Sequence, residues 1–398
     1  MAPRKHSTEA DLLEVIPYGR HQIHGGDADA VVDALHSGWL TTGPAVRQFE
    51  QAIACKVGAS HSVAVNSGTA ALHCAMHALD IGPGDEVIVS PLTFAASANC
   101  VLYQGGTPVF ADVDPATLLV DPASVEARIT PRTRAIIAVD YAGQPCNYDA
   151  LRAIAVRHRV AIVADACHSL GGALDGRPVG GLADISAFSF HPVKAITTGE
   201  GGMAVTDDDV LARRMRTFRN HGVATDAATR DSQGTWYYEM QELGFNYRIG
   251  DLACALGSSQ LARLDQFIRR RQEIARAYDE AFERLSLVSP LETRAGVSHA
   301  RHLYVVRWHA ERATIDRAAL FAELRARGLG VNVHYMPVHL HPYYRRRLGT
   351  HAGLCPVAEA AYERVVSLPI YPAMSEADVG RVIDAVIDCT RRFARRAA

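Results

Sequence analysis

Val160-Ala161-Ile162-Val163-Ala164 leads directly into Asp165-Ala166-Cys167-His168. An apolar run of this length, rich in β-branched residues and without polar alternation, predicts a strand buried on both faces. Asp165 would sit at its C-terminal end. The same signal recurs on either side. Upstream are Glu86–Ser90, Thr107–Ala111 and Ala135–Val139; downstream are Ile185–Phe190 and Gly202–Thr206. Helical periodicity marks Gly68–Leu79, Phe94–Tyr103 and Tyr148–Arg157, and Asp175-Gly176 turns a hairpin around Leu174 and Val179. Buried strands alternating with helices predict an α/β domain of roughly 250 residues on a mostly parallel sheet covered on both faces.

After Asp251 the pattern changes. Asp251–Leu285 reads as one long helix, with Leu and Ile at helical spacing and Arg269, Arg270 and Arg271 on a solvated face. Leu303–Trp308 and Gly330–Tyr335 read as strands, Asp316–Arg327 as a helix, and a last helix starts at Ser375. The expected organisation is a loose tail over 1–15, a large domain over 16–265 and a smaller α+β domain over 266–398, with the long helix as connector. The 398 residues, 48% hydrophobic and 21% charged, supply ample material for a core and exclude wholesale disorder. With 41 basic against 43 acidic residues, no global field recruits nucleic acid or an anionic membrane. No apolar run reaches the roughly 18 residues of a membrane span, and the N-terminus lacks a secretory apolar stretch. The eight cysteines include no CxxC pair and read as reduced thiols of a cytoplasmic protein.

Lysine occurs only at Lys5, Lys56 and Lys194; every other cationic side chain apart from histidine is arginine. Arginine replaces lysine on a solvated surface, but its guanidinium stays protonated and does not condense with a carbonyl. Lys5 in the tail and Lys56 in a mixed helical stretch need no special reason. Lys194 closes Ser186-Ala187-Phe188-Ser189-Phe190-His191-Pro192-Val193-Lys194, a strand entering a proline turn, and the glycine-rich return Thr197-Thr198-Gly199-Glu200-Gly201-Gly202 follows. A lysine in that turn is placed to condense with an aldehyde, and burial would lower its pKa and ready the amine as a base. Other segments offer what a phosphorylated, electron-withdrawing aldehyde cofactor requires. Asn66-Ser67-Gly68-Thr69 opens a helix whose free N–H groups can hold a phosphate, although plain capping accounts for the same residues. Asp165 can hold a pyridine nitrogen protonated, or cap the next loop. His168 can reach a ring oxygen or be structural, and Ser189 can bind phosphate. Phe94, in Ser90-Pro91-Leu92-Thr93-Phe94, can stack on the ring or join the core.

In this order, Asn66–Leu72, Val163–His168 and Phe188–Gly202 resemble the DegT/DnrJ/EryC1/StrS family of pyridoxal-phosphate-dependent sugar aminotransferases, from about Tyr18 to the C-terminus. The resemblance implies the type I (aspartate aminotransferase) fold of PLP-dependent transferases, with a mostly parallel seven-stranded sheet and a smaller C-terminal α+β domain. It implies pyridoxal 5′-phosphate (PLP) as cofactor and Lys194 as the Schiff-base lysine. Asp165 would meet the pyridine nitrogen and His168 the ring oxygen, with Gly68, Thr69, Phe94, Ser189 and Asn246 also around the cofactor. Tyr18, Gly38-Trp39-Leu40-Thr41, Arg248, His334 and Tyr335 would contact the substrate, together with Gly68 and Ser189. In Gly244-Phe245-Asn246-Tyr247-Arg248 the family pattern implies residues reaching the other subunit's site, hence a homodimer with shared active sites. A surface ion pair for Arg248 and simple packing for Trp39 are the bland alternatives.

Phe190–Thr198, Val139–Gly143 and Val333–Val338 look most like the branch serving pseudaminic acid biosynthesis. That implies transfer of the amino group of L-glutamate to C4 of a UDP-linked 4-keto-6-deoxy-N-acetylhexosamine. Alternatives are a dTDP- or GDP-linked keto sugar, aminated at C3 or C4, or a cyclitol ketone. Many relatives carry an acidic residue at the position of Ala164 and Gln at that of His168. Members that dehydrate sugars have histidine in place of the lysine, so Lys194 argues against that branch. Two readings come from other classes. One is a catalytically silent regulatory protein on the same fold. The other is a metal hydrolase using His334, His339 and His341, which have no acidic companion in that stretch.

Overall fold

The computed structural model describes residues 15–225, 230 and 234–395; Lys5 and the expected tail, apart from Val15, lie outside the described residues. The first nine strands are β1 (His61–Val65), β2 (Glu86–Val89), β3 (Thr107–Phe110), β4 (Thr133–Val139), β5 (Ala161–Asp165), β6 (Ala173–Leu174), β7 (Arg177–Pro178), β8 (Ile185–Ser189) and β9 (Gly202–Thr206). All but the hairpin β6–β7 form one seven-stranded sheet in the order β1-β9-β8-β5-β4-β2-β3. Only β9 runs against its neighbours, pairing antiparallel with both β1 and β8; the remaining pairs are parallel. Six strands therefore end at one edge, and β9 begins there.

Strands β2, β4, β5 and β8 are buried along nearly their whole length, as their mainly apolar centres require of a sheet covered on both faces. The helices preceding residue 220 are α1 (Gly25–His36), α2 (Pro44–Val57), α3 (Gly68–Ala78), α4 (Ala96–Tyr103), α5 (Pro122–Glu126), α6 (Tyr148–His158) and α7 (Asp209–Phe218). Helix α3 is buried almost all round, between the sheet and helices α4 and α7. Its alanines make that close approach feasible, and Ser67 caps it by accepting a bond from the Ala70 N–H, a cap worth about 1 kcal/mol.

The long helix expected over Asp251–Leu285 is two helices, α8 (Asp251–Leu261) and α9 (Leu264–Phe282). Arg263 leaves helical geometry where its guanidinium and the Gln260 amide converge on the buried Asp27 carboxylate of α1. Periodicity cannot separate one helix from two nearly continuous ones, and the partner that marks the break lies more than 230 residues away. Beyond come β10 (Val288–Pro290), β11 (Val297–Ser298), β12 (Tyr304–Trp308), α10 (Arg317–Ala326), α11 (Pro342–Leu348), α12 (Pro356–Tyr362), β13 (Val365–Leu368) and α13 (Glu376–Phe393). Strands β10, β12 and β13 make an antiparallel sheet, while β11 joins the β6–β7 hairpin. The strand expected over Gly330–Tyr335 does not form: the segment makes single bridges, Asn332 with Ser367 and, beside it, Leu329 with Ile16.

Two apolar cores result. The larger surrounds the main sheet, and the smaller gathers Tyr278, Phe282, Trp308 and Val382. The chain weaves between them. Ile16 packs in the smaller core, whereas Val338, Tyr344, Cys355 and Ala358 pack in the larger, in contrast with a single boundary at 265/266. Helix α9 spans both, with Leu264 and Phe267 in one and Ile274 and Tyr278 in the other.

Candidate active site

A cavity of about 560 Å³ opens at the edge where the six strands end. Most of its wall comes from strand exits. Ser67-Gly68-Thr69 comes just after β1, Thr93 and Phe94 follow β2, Asp165 ends β5 with Cys167 and His168 behind it, and Ser189 ends β8 before the turn to Lys194. Chain distant in sequence supplies Tyr18, Asn332, Val333, His334 and Tyr335.

Lys194 is half-buried on this wall, and its amine makes no hydrogen bond or ion pair to any described residue. Burial pulls its pKa below the ordinary lysine value, with Cys167 and the Asp165 carboxylate opposing. Asp165 is buried and held from two sides: Ser97 donates to Oδ2 at 2.6 Å, and the Cys167 N–H donates to Oδ1 at 3.3 Å. Ser97 has one proton, so with Asp165 taking it, Thr93 donates to Ser97 across 2.6 Å. The relay Thr93–Ser97–Asp165 fixes the carboxylate's orientation.

Opposite stands the start of α3. Its first N–H groups, on Gly68 and Thr69, have no intrahelical partner and carry the positive end of the helix dipole. A Cβ at Gly68 would lie 2.8 Å from the Ser189 Cβ and 3.2 Å from Cys167 Sγ, so only glycine lets the helix begin against β8. The last wall is aromatic and polar. His168 Nε2 lies 3.1 Å from the Tyr335 hydroxyl, and Tyr18 packs on the His334 ring at 5.4 Å. His334 Nδ1 meets the Ser367 hydroxyl at 2.8 Å, and Tyr141 donates to its carbonyl. Burial, reinforced by the Lys194 charge, pushes His334 down to about 4 and His168 well below its usual range, so both rings are neutral near pH 7.

The structure thus brings together Tyr18, Gly68, Thr69, Phe94, Asp165, His168, Ser189, Lys194, His334 and Tyr335. Phe94 is 63% exposed at the mouth, not a core residue. Six expected residues are not in this cavity. Gly38-Trp39-Leu40-Thr41 lies in the loop between α1 and α2, with Trp39 and Leu40 exposed. Asn246 does not line it; its carbonyl lies 3.4 Å from Asn66 Nδ2. Arg248 lines a separate cavity of about 270 Å³ with Arg47, Arg216 and Arg219, and donates to Asn220 Oδ1 at 2.9 Å instead of making an ion pair. Sequence reasoning missed Thr93, Ser97, Cys167 and Asn332. The Thr93/Ser97 spacing was a usable local signal; nothing local marked Asn332. The histidines considered as metal ligands go to separate partners, His334 to Ser367 and His339 to Glu359 at 2.8 Å, and among the described residues no group of three His, Cys, Asp or Glu could hold a metal.

An unpaired lysine facing an anchored carboxylate and a helix N-terminus, at the strand ends of a seven-stranded mostly parallel sheet, defines a PLP-dependent transferase of fold type I. Residues 21–387 match the model of the DegT/DnrJ/EryC1/StrS aminotransferase family, and the chain belongs to that family. The spore coat polysaccharide biosynthesis protein SpsC of Bacillus subtilis is 44% identical over 379 residues, covering 94% of this chain and 97% of SpsC. Among solved structures, PseC of Helicobacter pylori, an aminotransferase involved in the biosynthesis of pseudoaminic acid, superposes with a TM-score of 0.89 at 30% identity, over 96% of this chain and all of that one. Spr1654 of Streptococcus pneumoniae, assigned as a sugar aminotransferase, gives 0.89 in its PMP form and 0.88 in its PLP form, at 32% identity over 95% of this chain and 99% of that one. The protein is a PLP-dependent sugar aminotransferase. The groups on the cavity wall suit that cofactor: a free amine, a fixed carboxylate, and unpaired N–H groups in a cradle that a Cβ at Gly68 would fill.

Proposed function

We propose that the chain moves the amino group of L-glutamate to C4 of a UDP-linked 4-keto-6-deoxy-N-acetylhexosamine, as a cytoplasmic homodimer. The observation that carries the reaction is the Lys194 amine, unpaired and lowered in pKa, on the cavity wall with Asp165. When bound, PLP supplies an aldehyde that exchanges amines and a ring that accepts an electron pair. Lys194 would hold its aldehyde carbon, Asp165 its pyridine nitrogen, and Gly68, Thr69 and Ser189 its phosphate, and Phe94 and His168 would meet its ring. The Lys194 amine, freed when the amino group of glutamate takes its place on that carbon, takes the α-proton of glutamate and later delivers a proton to C4 of the sugar. The face on which it stands fixes the product's configuration.

The acceptor class rests on the likeness to PseC, and the neutral His334 with Tyr18 and Tyr335 offers hydrogen bonds without charge to a sugar ring. Gly38–Thr41, Asn246 and Arg248 stand outside their own chain's cavity, which supports a homodimer in which they reach the partner's. The stronger identity to SpsC, named for a coat polysaccharide, favours another nucleotide-linked keto sugar as the second reading.

Purified protein should show a visible Schiff-base absorption that borohydride bleaches and that Lys194→Arg lacks. Offered glutamate with UDP-, GDP- and dTDP-linked 4-keto-6-deoxy sugars, it should aminate the UDP-linked hexosamine, as read by mass spectrometry and NMR. Preference for a GDP- or dTDP-linked sugar refutes the acceptor; absence of 2-oxoglutarate with every sugar refutes the catalytic reading.

A further inference from the structure

Behind the cavity wall lie three buried polar atoms without a hydrogen-bond partner: His168 Nδ1, His302 Nδ1 and Arg271 Nε. They form one cluster. The His168 and His302 ring centroids are 4.3 Å apart at an interplanar angle of 43°, and both residues are more than nine-tenths buried. Arg271 Nη1 donates to the carbonyls of His302, Arg301 and Ile370 at 3.3, 3.4 and 2.8 Å, which anchors the backbone carrying His302. Burial, with the cationic groups of Lys194 and Arg271 adding in the same direction, keeps the His302 ring neutral as well.

A neutral imidazole carries one proton, on one nitrogen or the other. If His168 carries it on Nε2, that N–H donates across 3.1 Å to the Tyr335 oxygen, and the phenol's own proton is free for a ligand in the cavity. If His168 carries it on Nδ1, the bare Nε2 takes the phenol's proton, and the cavity meets only oxygen lone pairs. What faces Nδ1 therefore decides whether Tyr335 is a donor or an acceptor. The ring packed against His168 that does not itself line the cavity is His302, which has an unpaired nitrogen of its own.

We propose that His302 is a positioning residue: its Nδ1–H, through one bridging water, satisfies His168 Nδ1, holds the His168 proton on Nε2, and thereby makes Tyr335 a hydrogen-bond donor to the ligand in the cavity. His302 touches no reacting atom. The inference rests on the proposed site for its kinetic arm alone, because the tautomer is readable without cofactor or substrate.

The first arm is ring-¹⁵N NMR of histidine-labelled protein, cofactor-free and PLP-loaded, with His168→Gln identifying the His168 signals. The wild type should show the Nε2–H tautomer at His168. His302→Phe should lose it, and His302→Asn, whose amide can donate from nearly the same position, should restore it. The second arm follows the glutamate half-reaction by cofactor absorbance. His302→Phe should lower the rate about tenfold, the loss of one hydrogen bond, with KM for glutamate changed less than about twofold. Tyr335→Phe should cost a similar factor, and the double variant no more than Tyr335→Phe alone. An Nδ1–H tautomer in the wild type overturns the proposal, as do losses that multiply in the double variant. If His302→Phe does not fold, the wild-type and His302→Asn spectra still decide it. Normal tautomers with no glutamate turnover would fail the amination reading and leave this one standing.

Discussion

Replacing Gly202 with alanine would drive a methyl group into the backbone that opens α3. The new carbon would lie 2.3 Å from the Ser67 carbonyl oxygen, 2.5 Å from the Ser67 carbonyl carbon and 2.7 Å from the Gly68 nitrogen. None of these atoms ends a flexible side chain. Strand β9 cannot retreat either, because Gly202 is paired with Val65 on one side and Ser189 on the other. Ordinary contact begins near 3.4 Å, so strand and helix start must part by about 1 Å. Overpacking of that kind costs roughly 1–3 kcal/mol. It falls on the Gly68 and Thr69 N–H groups assigned to the phosphate, so most of it should appear as lost cofactor affinity. About 2 kcal/mol corresponds to roughly a thirtyfold rise in Kd. The assay is titration of cofactor-free protein with PLP, followed by visible absorbance, with Gly26→Ala as control because nothing lies within 4 Å of its added carbon. A Gly202→Ala protein with unchanged affinity and melting temperature would refute the account of the phosphate cradle.

Ser97→Ala removes the hydroxyl that donates to Asp165 at 2.6 Å and should raise the PLP Kd about tenfold, as expected for one charge-assisted bond; unchanged affinity would show that Asp165 needs no orienting partner. Asp140 is fully buried beyond β4 and accepts bonds from Ser169, Tyr148 and Cys146 at 2.6, 2.8 and 2.9 Å. Burial outweighs them and lifts its carboxyl from the ordinary 3.8 to about 7. The folded protein then binds more protons than the unfolded chain between about pH 4 and 7, so this group's contribution to stability falls as pH rises through that window and levels off above it. The difference between pH 4 and pH 8 is on the order of 4 kcal/mol. Asp140→Asn, neutral throughout, should flatten that slope in urea unfolding at pH 5 and pH 8; equal slopes in both proteins would contradict the shift.

The main sheet was legible because its strands are short apolar runs, and burial on both faces leaves that mark on local sequence. Gly202–Thr206 matches its strand residue for residue, and five others agree to within two residues at either end; β1, His61–Val65, was not among the expected strands. The reactive loops were legible for a related reason: in a parallel sheet the segments after strands meet at one edge, so Gly68, Asp165 and Lys194 could be placed there before any contact was known. Local pattern failed at Gly330–Tyr335, where valine alternates with Asn332 and His334 as in a strand yet the segment pairs only through single bridges, and at Arg263, where a distant carboxylate marks the helix break.

What the sequence by itself determined is the kind of chemistry and where along the chain it resides: one lysine in a strand-exit turn, one carboxylate at a strand end, one glycine-opened helix. Tertiary structure alone decided which groups complete that chemistry. Ser97 meets Asp165 across 68 residues, and Tyr335 meets His168 across 167. It also placed Trp39 and Arg248 outside their own chain's cavity. Periodicity records how a residue faces its neighbours within one element. Which elements then stand side by side follows from strand order and packing between layers, and that ordering leaves no periodic trace in the chain.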